Sequence, residues 1–380
     1  MNKLMKIYFD ENMLFATEFF SEFGELIAFN GRSLRPEQLR DADVLLVRSI
    51  TQVNEALLAV NKNIQFIGTA TIGTDHIDKA YLNEQKISFS SAPGCNAVSV
   101  AEYVISALVV LSERYVIDLL SLTVGIVGAG NTGSRLSEKL SALGIKHVLC
   151  DPLLAKNQVD SRNFVSLEQA LSCDVVSLHV PKTMQGEHAT FHLLNEARLS
   201  SMSDKQILIN ACRGEVVDNQ ALLSMKQKGH QLKLVLDVWE NEPNILQQLI
   251  PYCDIATAHI AGYSLEGKAR GTEMLYQALC YDLGIVPSKK LASMLPVPAV
   301  NKLQINQEFN QLVLNQLVKM VYDVRRDDGI FRQQIEPQKK INSGFDHIRK
   351  TYPARREFSS IQVKNAEQVK CDMLHQLGFS

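Results

Sequence analysis

The sequence lacks the marks of a secreted, metal-binding or membrane-spanning protein. Its seven cysteines are scattered, odd in number and never spaced as CxxC, which argues against a disulfide framework and a zinc site. Its longest apolar run, at residues 104–111, is far shorter than the roughly 20 residues of a membrane-spanning helix. The first residues are typical of a strand and not of a signal peptide. We therefore expect a cytoplasmic protein with reduced thiols, no metal and no membrane segment.

The sequence also lacks an excess of charge of either sign. It carries 39 basic and 41 acidic side chains, and its net charge is -2. Such a balance creates no field that would attract nucleic acid or an anionic membrane, so neither is expected as a partner. An anionic substrate would therefore need a local basic pocket. With 380 residues, 46% of them hydrophobic, the chain is long enough for two or three domains.

Short apolar runs alternate with helical stretches in two successive series. The first series comprises residues 6–9, 25–29, 44–47, 66–67 and 87–89, and the second comprises 123–127, 147–150, 174–180, 206–212, 234–239 and 254–260. Such alternation predicts parallel sheets with helices on their faces. Long helices are predicted at 97–114 and 264–284. The sequence thus predicts two α/β units.

From about residue 286 the pattern changes. Three prolines between residues 287 and 298 indicate a linker. A helix near 307–324 and a strand near 360–363 follow, and a last helix is predicted to open at Asn365, with Gln368 in a capping box, and to end at Gly378. Because a unit of this size has only a modest core, we expect it to dock on a second copy of the chain.

The most informative motif is the turn at residues 128–133, GAGNTG, which follows an apolar run and precedes a helical stretch. In such a turn the first glycine permits a sharp bend, the second lets the backbone approach a pyrophosphate, and the third lets the helix pack on the strand. Unpaired N–H groups at the helix start would bind the phosphates. We therefore predict a dinucleotide site that includes Gly128, Gly130, Asn131, Thr132 and Gly133.

Asp151 closes the next apolar run, 23 residues after Gly128. A carboxylate at this place can accept hydrogen bonds from both ribose hydroxyls and repels the extra phosphate of NADP. A glycine-rich turn also occurs in unrelated α/β proteins, but strand, turn, helix and acid in this order favour a cofactor site. The predicted cofactor is NAD.

Three candidates for chemistry, Arg213, Glu242 and His259, follow apolar runs of the second series. Because the carboxyl ends of parallel strands meet at one edge of a sheet, we expect all three to face one crevice. A nicotinamide enzyme acting on an alcohol needs a base, a group that tunes it, and a cation for an acidic substrate. Taken alone, each residue has a structural interpretation. His259 could be a hydrogen-bonded core histidine, Glu242 could be a solvated acid in a loop, and Arg213 could pair with Glu215. Their convergence favours a catalytic set.

Two further histidines, His188 and His192, are spaced as HxxxH. Zinc proteases with this spacing have a glutamate directly after the first histidine, and Ala189 stands there in this chain. We therefore predict no metal at this motif.

Four segments resemble the D-2-hydroxyacid dehydrogenases: residues 128–133, 210–214 (NACRG), 237–243 (DVWENEP) and 259–262 (HIAG). The resemblance covers residues 5–284. Segments at 47–49, 68–71, 92–96 and 262–271 are similar to the branch of this family that acts on a phosphorylated hydroxy acid in vitamin B6 synthesis. Residues 321–328, 345–346 and 355–358 resemble the C-terminal dimerisation domain of that branch.

The resemblance implies oxidation of 4-phospho-D-erythronate to (R)-3-hydroxy-2-oxo-4-phosphobutanoate by NAD. His259 would take the proton of the C2 hydroxyl, Glu242 would orient the imidazole, and Arg213 would hold the carboxylate. Asp151 would bind the adenosine ribose. The resemblance implies further cofactor contacts for Val180, Asp237 and Gly262, and substrate contacts for Ser49, Thr71 and Tyr263. Since some relatives have threonine in place of Val180, this residue would contribute only backbone groups or packing.

We therefore predict an α/β protein of three domains. A flavodoxin-like substrate domain comprises residues 1–97 plus 263–285, a doubly wound parallel-sheet NAD-binding Rossmann domain comprises 98–262, and a small α+β C-terminal dimerisation domain comprises 286–380. Substrate is expected in the cleft between the first two domains, and the protein is expected to be a homodimer. Local ion pairing on an exposed helix end is expected at residues 325–328. A sharper hypothesis places a tail arginine, Arg349 or Arg355, beside the partner's active site.

Two alternatives remain open. Another D-2-hydroxyacid dehydrogenase, such as one for 3-phosphoglycerate, would share the catalytic residues. A protein that binds NAD to set an interaction surface for partner proteins, as in transcriptional corepressors, would share the glycine turn. The complete set of Arg213, Glu242 and His259 disfavours this second alternative.

Overall fold

The structure is a computed structural model that describes residues 4–157, 159–335, 341–365 and 368–380. It divides into two compact units. Unit 1 comprises Met1–Asn96 and Ser264–Pro296, and unit 2 comprises Ala97–Tyr263 and Val297–Ser380. No helix within the described ranges is long and apolar enough to cross a membrane.

The strands overlap every apolar run of the two predicted series. In chain order they are β1 (Met5–Asp10), β2 (Gly24–Phe29), β3 (Val44–Val47), β4 (Phe66–Thr69), β5 (Ser88–Ser91), β6 (Thr123–Val127), β7 (Lys146–Cys150), β8 (Val175–Leu178), β9 (Ile207–Asn210), β10 (Lys233–Leu236), β11 (Ile255–Ala256), β12 (Lys302–Ile305) and β13 (Gln362–Asn365). The strand predictions from apolar runs are therefore confirmed.

The α-helices lie between these strands and in the C-terminal region. They are α1 (Ala16–Phe20), α2 (Glu55–Leu58), α3 (Lys79–Glu84), α4 (Ala97–Tyr115), α5 (Asn131–Ala142), α6 (Pro152–Ala155), α7 (Leu167–Leu171), α8 (Glu196–Ser201), α9 (Asn219–Gln227), α10 (Leu265–Asp282), α11 (Gln311–Val321), α12 (Val324–Gln334), α13 (Ile341–Lys350) and α14 (Gln368–Leu377). The long helices predicted at 97–114 and 264–284 correspond to α4 and α10.

The sheet of unit 1 has the strand order β2-β1-β3-β4-β5, and all of its neighbouring strands are parallel. This is the order of flavodoxin-like folds, as predicted. Every residue of β3 and β4 is buried, as expected for central strands covered by helices on both faces. Helix α10 packs closely on β4 at Gly68, where a Cβ would lie 3.0 Å from Leu275.

The sheet of unit 2 is also parallel, with the order β11-β10-β9-β8-β6-β7. A single parallel bridge between Leu149 and Phe164 adds one more chain segment beyond β7. With this segment counted as a strand, the order is that of a doubly wound nucleotide domain, so the predicted fold class is confirmed. The sequence analysis did not single out Phe164, which stands with Val165 between polar residues.

The predicted C-terminal domain at residues 286–380 stays a prediction. Residues 297–380 group with 97–263 in unit 2. The physical reason is that α11 packs on α4, α12 on β11 and α14 on α5. Its apolar side chains are therefore buried largely in cores that it shares with the NAD-binding sheet. Dimerisation through this region stays a prediction.

Two local predictions in this region need correction. Asn365 closes β13 and does not open the last helix, which begins at Gln368, while residues 366 and 367 lie outside the described residues. The ion pairing expected at residues 325–328 is present, since Arg326 pairs with Asp327 at 2.9 Å. The helix end is more buried than expected, however, because Asp327 is buried and Asp328 accepts a hydrogen bond from Ala256 N at 2.7 Å.

A buried charge cluster joins the C-terminal region to unit 2. Lys139 Nζ lies 3.2 Å from Glu102 Oε1 and donates a hydrogen bond to Leu377 O at 2.6 Å. Glu102 also accepts a hydrogen bond from Phe358 N at 3.1 Å. Burial raises the pKa of Glu102 to about 7, although the neighbouring Lys139 charge opposes this shift. The cluster thus ties α4 and α5 to the end of the chain.

Candidate active site

The predicted glycine turn links β6 to α5. Gly128 has φ 93°, and a Cβ on it would lie 2.5 Å from His179 O. A Cβ on Gly133 would lie 2.0 Å from Gly128 O, so helix and strand pack too closely for any side chain. By contrast, a Cβ on Gly130 would meet nothing within 4 Å. The turn therefore has an open face at Gly130, at the start of a 12-residue helix, which fits a pyrophosphate.

The two remaining residues of the motif lie in the first turn of α5. Asn131 is exposed and Thr132 is half-buried. Both are among the first residues of the helix, whose backbone N–H groups have no partner within the helix. They are therefore placed where a phosphate would be bound.

Asp151 directly follows β7 and fixes the glycine turn from one side. Its Oδ2 accepts a hydrogen bond from Ala129 N at 3.0 Å, and its Oδ1 accepts one from Leu154 N at 3.1 Å. Arg162, which the sequence analysis missed, fixes the turn from another side by donating to Ala129 O at 2.9 Å. Asp160 holds this guanidinium at 2.6 Å. No local pattern indicates Arg162, because its contact depends on how the chain returns after β7.

His259 and Glu242 form a hydrogen-bonded pair. His259 Nδ1 lies 2.7 Å from Glu242 Oε2, and Glu242 Oε1 accepts a hydrogen bond from Trp239 N at 2.9 Å. The carboxylate is thus fixed by the backbone at one oxygen and by the imidazole at the other. The side chain of His259 is 34% exposed, so its ring remains accessible to a substrate.

Asp237 holds the loop that carries His259. Its Oδ1 accepts hydrogen bonds from Thr257 Oγ1 at 2.7 Å and from Ile260 N at 2.8 Å, and its Oδ2 accepts one from Ala261 N at 2.9 Å. His259 itself has φ 57°, a left-handed conformation that costs about 1–3 kcal/mol in a non-glycine residue. The hydrogen bonds to Asp237 hold the loop in this conformation.

Asp237 is buried, and burial raises the pKa of its carboxyl group, while the nearby His259 lowers it. The structure therefore places this residue underneath the loop that carries His259. Its predicted contact with the cofactor stays a prediction.

Arg213 follows β9 and precedes a short 3-10 turn at Gly214–Val216. Its Nη1 donates a hydrogen bond to Cys212 O at 2.7 Å. The next residue, Gly214, packs so closely on the loop after β10 that a Cβ on it would lie 1.9 Å from Trp239 C. Since β9, β10 and β11 are neighbours, the structure places Arg213, Glu242 and His259 at adjacent strand ends.

Two more of the predicted cofactor residues lie near these strand ends. Val180 follows β8, and its Cγ1 would lie 2.9 Å from a Cβ on Gly128, so it packs on the glycine turn. Gly262 is half-buried and follows Ala261, which is bonded to Asp237. Beside Val180, burial lowers the pKa of His179 to about 4. A neutral His179 therefore lies next to the turn.

The predicted substrate residues belong to different units. In unit 1, Ser49 is exposed after β3, and Thr71 donates a hydrogen bond to Gly73 O at 2.9 Å. In unit 2, Tyr263 Oη accepts a hydrogen bond from Arg349 Nε at 3.1 Å. Arg349 therefore contacts a predicted substrate residue of its own chain.

A second histidine cluster was not anticipated. His192 Nε2 lies 2.6 Å from Glu240 Oε1, and its Nδ1 lies 3.6 Å from Asp218 Oδ2. Ligand atoms of the three residues lie within 4.8 Å of one another. The two ring nitrogens of His192 thus face different carboxylates. Sequence spacing had paired His192 with His188, whose nearest carboxylate is that of Glu187.

Comparisons with known proteins give the same assignment over nearly the whole chain. The family described as the NAD binding domain of D-isomer specific 2-hydroxyacid dehydrogenases matches residues 109–261, and a domain of unknown function matches residues 294–378. Erythronate-4-phosphate dehydrogenase of Colwellia psychrerythraea is 60% identical over 99% of this chain and 100% of its own. The enzyme of the same name from Tolumonas auensis is 55% identical over 99% of both chains.

Solved structures agree with the fold. D-lactate dehydrogenase from Aquifex aeolicus, complexed with NAD and lactic acid, has a TM-score of 0.59 and 27% identity over 73% of this chain and 96% of its own. NAD-bound 3-phosphoglycerate dehydrogenase from Entamoeba histolytica has a TM-score of 0.61 and 22% identity over 74% of this chain and 96% of its own, which shows the fold alone. This chain belongs to the erythronate-4-phosphate dehydrogenases, within the D-isomer specific 2-hydroxyacid dehydrogenase family, and its cofactor is NAD.

Proposed function

We propose that this protein oxidises 4-phospho-D-erythronate at C2 to (R)-3-hydroxy-2-oxo-4-phosphobutanoate, with NAD as the oxidant, in vitamin B6 synthesis. The names of relatives at 50–60% identity support the substrate. The observation that carries the chemistry is the 2.7 Å pair of His259 Nδ1 and Glu242 Oε2 at the strand edge of the NAD-binding sheet. Bound NAD supplies the hydride acceptor.

The imidazole of His259 acts as the general base. Because Glu242 occupies Nδ1, Nε2 is the ring nitrogen that takes the proton of the C2 hydroxyl during oxidation and returns it during reduction. Glu242 is itself fixed by Trp239 N, so the carboxylate sets both the tautomer and the direction of the ring. This arrangement resembles the base and orienting acid of hydrolytic triads.

Arg213 holds the substrate carboxylate and polarises the carbonyl that develops at C2. A guanidinium can form two parallel hydrogen bonds to a carboxylate, which a lysine cannot copy. The contact of Gly214 with the Trp239 backbone fixes the Arg213 loop directly against the loop of Glu242. Ser49, Thr71 and Tyr263 complete the proposed substrate contacts, and Asp151, Asp237, Val180 and Gly262 the proposed cofactor contacts. We further infer that the protein is a cytoplasmic homodimer.

The proposed activity is tested by mixing the purified protein with NAD and 4-phospho-D-erythronate and following nicotinamide absorbance. A parallel reaction contains 3-phosphoglycerate. We expect kcat/KM to be at least 100-fold higher for 4-phospho-D-erythronate, since a misplaced phosphate leaves its charged partners unpaired. Equal or greater turnover of 3-phosphoglycerate would overturn the substrate assignment, and no turnover of either acid would overturn the activity.

A further inference from the structure

Arg349 lies in the last turn of α13, next to a residue of the proposed site. Its Nε donates a hydrogen bond to Tyr263 Oη at 3.1 Å, and the centre of its guanidinium lies 5.8 Å from the Tyr263 ring centroid. Tyr352 packs edge-on against Tyr263 with ring centroids 5.7 Å apart. Two buried neighbours on the same helix, Phe345 and Ile348, anchor α13. The guanidinium is therefore held in a defined position.

Four other arginines of this region already have carboxylate or backbone carbonyl partners. Arg325 pairs with Asp323 at 2.5 Å, Arg326 with Asp327 at 2.9 Å, and Arg332 with Asp328 at 2.9 Å. Arg355 is buried and donates hydrogen bonds to Ala261 O and Ser99 O. These four arginines thus have structural roles, and the one donor of Arg355 without a partner, its Nε, is buried.

Arg349 differs from these arginines because its hydrogen bond to Tyr263 uses only Nε. Within the described parts of the chain no carboxylate lies within 4.0 Å of its guanidinium, and its Nη1 and Nη2 donate no hydrogen bond. Neither nitrogen is among the buried polar atoms that lack a partner, so both keep access to solvent. Arg349 therefore presents two parallel donors from a fixed position.

The electrostatic surroundings place this charge near the catalytic pair. Burial opposes the charge of Arg349, but Tyr263, Glu242 and Asp346 favour it, so the pKa of the guanidinium is raised. Glu242 is the residue that orients His259. In the proposed substrate the phosphate is carried on C4, two carbons from the C2 at which His259 acts. Arg349 is thus close enough to Glu242 for their charges to interact, and it contacts Tyr263, a proposed substrate residue.

We propose that Arg349 binds the phosphate of the substrate and that Tyr263 holds the guanidinium in place for this contact. This inference rests on the proposed function and deepens it, because it assigns the phosphate to a cation of the C-terminal region. A planar fork of two N–H donors matches a phosphate dianion. The carboxylate at the other end of the substrate is left to Arg213.

Binding of two simple anions to the protein–NADH complex tests the assignment without turnover. Inorganic phosphate and oxalate are titrated calorimetrically into the wild type, Arg349→Gln and Arg349→Lys. Lys350→Gln, a change in the exposed neighbour, is the matched control. We expect Arg349→Gln to weaken phosphate about 10–100-fold, as for a lost charge-assisted contact, and to change oxalate less than about 3-fold. Arg349→Lys should recover part of the phosphate affinity, and Lys350→Gln should match the wild type.

Three outcomes would overturn the proposal: no phosphate binding by the wild type, equal phosphate affinity in Arg349→Gln, or an equal loss of oxalate, which would assign Arg349 to the carboxylate. NADH affinity and thermal unfolding of each variant show whether it is folded, and Arg349→Lys keeps the test valid if Arg349→Gln unfolds. Steady-state kinetics then separate this inference from the proposed function. Failure of the wild type to oxidise 4-phospho-D-erythronate rejects the function, whereas the anion titrations alone decide the role of Arg349.

Discussion

The two sheets of this protein share a parallel topology but end their first strands differently. In unit 1, β1 leads into Asp10, whose Oδ1 accepts hydrogen bonds from both Asn12 N and Asn12 Nδ2, at 2.8 and 3.0 Å. In unit 2, β6 leads into Gly128 and the open face at Gly130. An acidic turn closed on itself repels a phosphate, and a glycine turn with unpaired N–H groups attracts one. Loop residues, and not strand order, therefore assign the cofactor to unit 2.

The two units also differ at other strand ends. Those of unit 2 carry a histidine, a glutamate and an arginine on three neighbouring strands, β9 to β11. Unit 1 has small hydroxyl residues at its strand ends, such as Ser49 after β3 and Thr71 after β4. Under the proposed function, unit 2 therefore supplies both the cofactor turn and the acid–base pair.

The largest effect is expected from Glu242→Gln. The amide keeps the shape of the side chain but removes the negative charge that stabilises a protonated His259 and sets its tautomer. We expect kcat to fall about 100–1,000-fold, while the KM for NAD changes little. Stopped-flow absorbance measures the loss. Ser49→Ala in unit 1 is the comparison, and an equal loss of kcat in both variants would contradict the division between the units.

Substitutions at two glycines of the turn distinguish the packing of the helix on the strand from the approach of the cofactor to the backbone. Gly133→Ala places a Cβ 2.0 Å from Gly128 O and should destabilise unit 2 by roughly 2–4 kcal/mol through overpacking. Gly130→Ala meets nothing within 4 Å, so it should leave stability within about 1 kcal/mol and raise the KM for NAD. Urea unfolding followed by Trp239, the single tryptophan, reports on unit 2. Equal destabilisation by both changes would contradict the packing argument.

Asp151→Ala tests the choice of cofactor. Removing the carboxylate removes the repulsion of the NADP phosphate, and Arg162 remains nearby on the glycine turn. We expect the preference for NAD over NADP in kcat/KM to fall about 10-fold or more. Because Asp151 also bonds Ala129 N, Asp151→Asn is the control that keeps a side-chain acceptor. An unchanged preference in both variants would show that the carboxylate does not select the cofactor.

A further prediction concerns pH and the buried Glu102. Its pKa is about 7 in the folded protein and near 4.5 in an unfolded chain, so the folded state holds the proton more tightly. The stabilisation that Glu102 adds to the free energy of unfolding is therefore fully present below pH 4.5. It is lost as the pH rises towards and through 7, by up to roughly 3 kcal/mol. Unfolding followed by Trp239 at pH 5.5 and pH 8 should show a smaller pH effect in Glu102→Gln. The same pH effect in both proteins would contradict this expectation.

Features encoded locally could be predicted from the sequence. The strands follow from apolar runs, the glycine turn from its three glycines, and the edge formed by Arg213, Glu242 and His259 from the geometry of parallel sheets. The sequence does not show that His259 adopts φ 57°, nor that Asp237 holds its loop with three hydrogen bonds. These features depend on contacts between segments far apart in the chain.

Contacts between distant segments also explain two features that the sequence does not show: the packing of the C-terminal helices and the positions of Arg162 and Arg349. The C-terminal helices have apolar faces of ordinary periodicity, which do not show that those faces pack on α4, α5 and β11 and not on one another. Arg162 and Arg349 sit in unremarkable local sequences, and only the fold brings them to the glycine turn and to Tyr263. Local patterns therefore predict elements and strand ends, while long-range packing decides which other side chains reach them.

Single-turnover oxidation of C2-deuterated 4-phospho-D-erythronate by the wild type and by His259→Asn tests the proposed site most directly. We predict that the wild type transfers deuterium to the nicotinamide, and that His259→Asn binds NAD within about 3-fold of the wild type but transfers deuterium about 1,000-fold more slowly or worse. Transfer by His259→Asn at the wild-type rate would contradict the assignment of the base to the strand edge of unit 2.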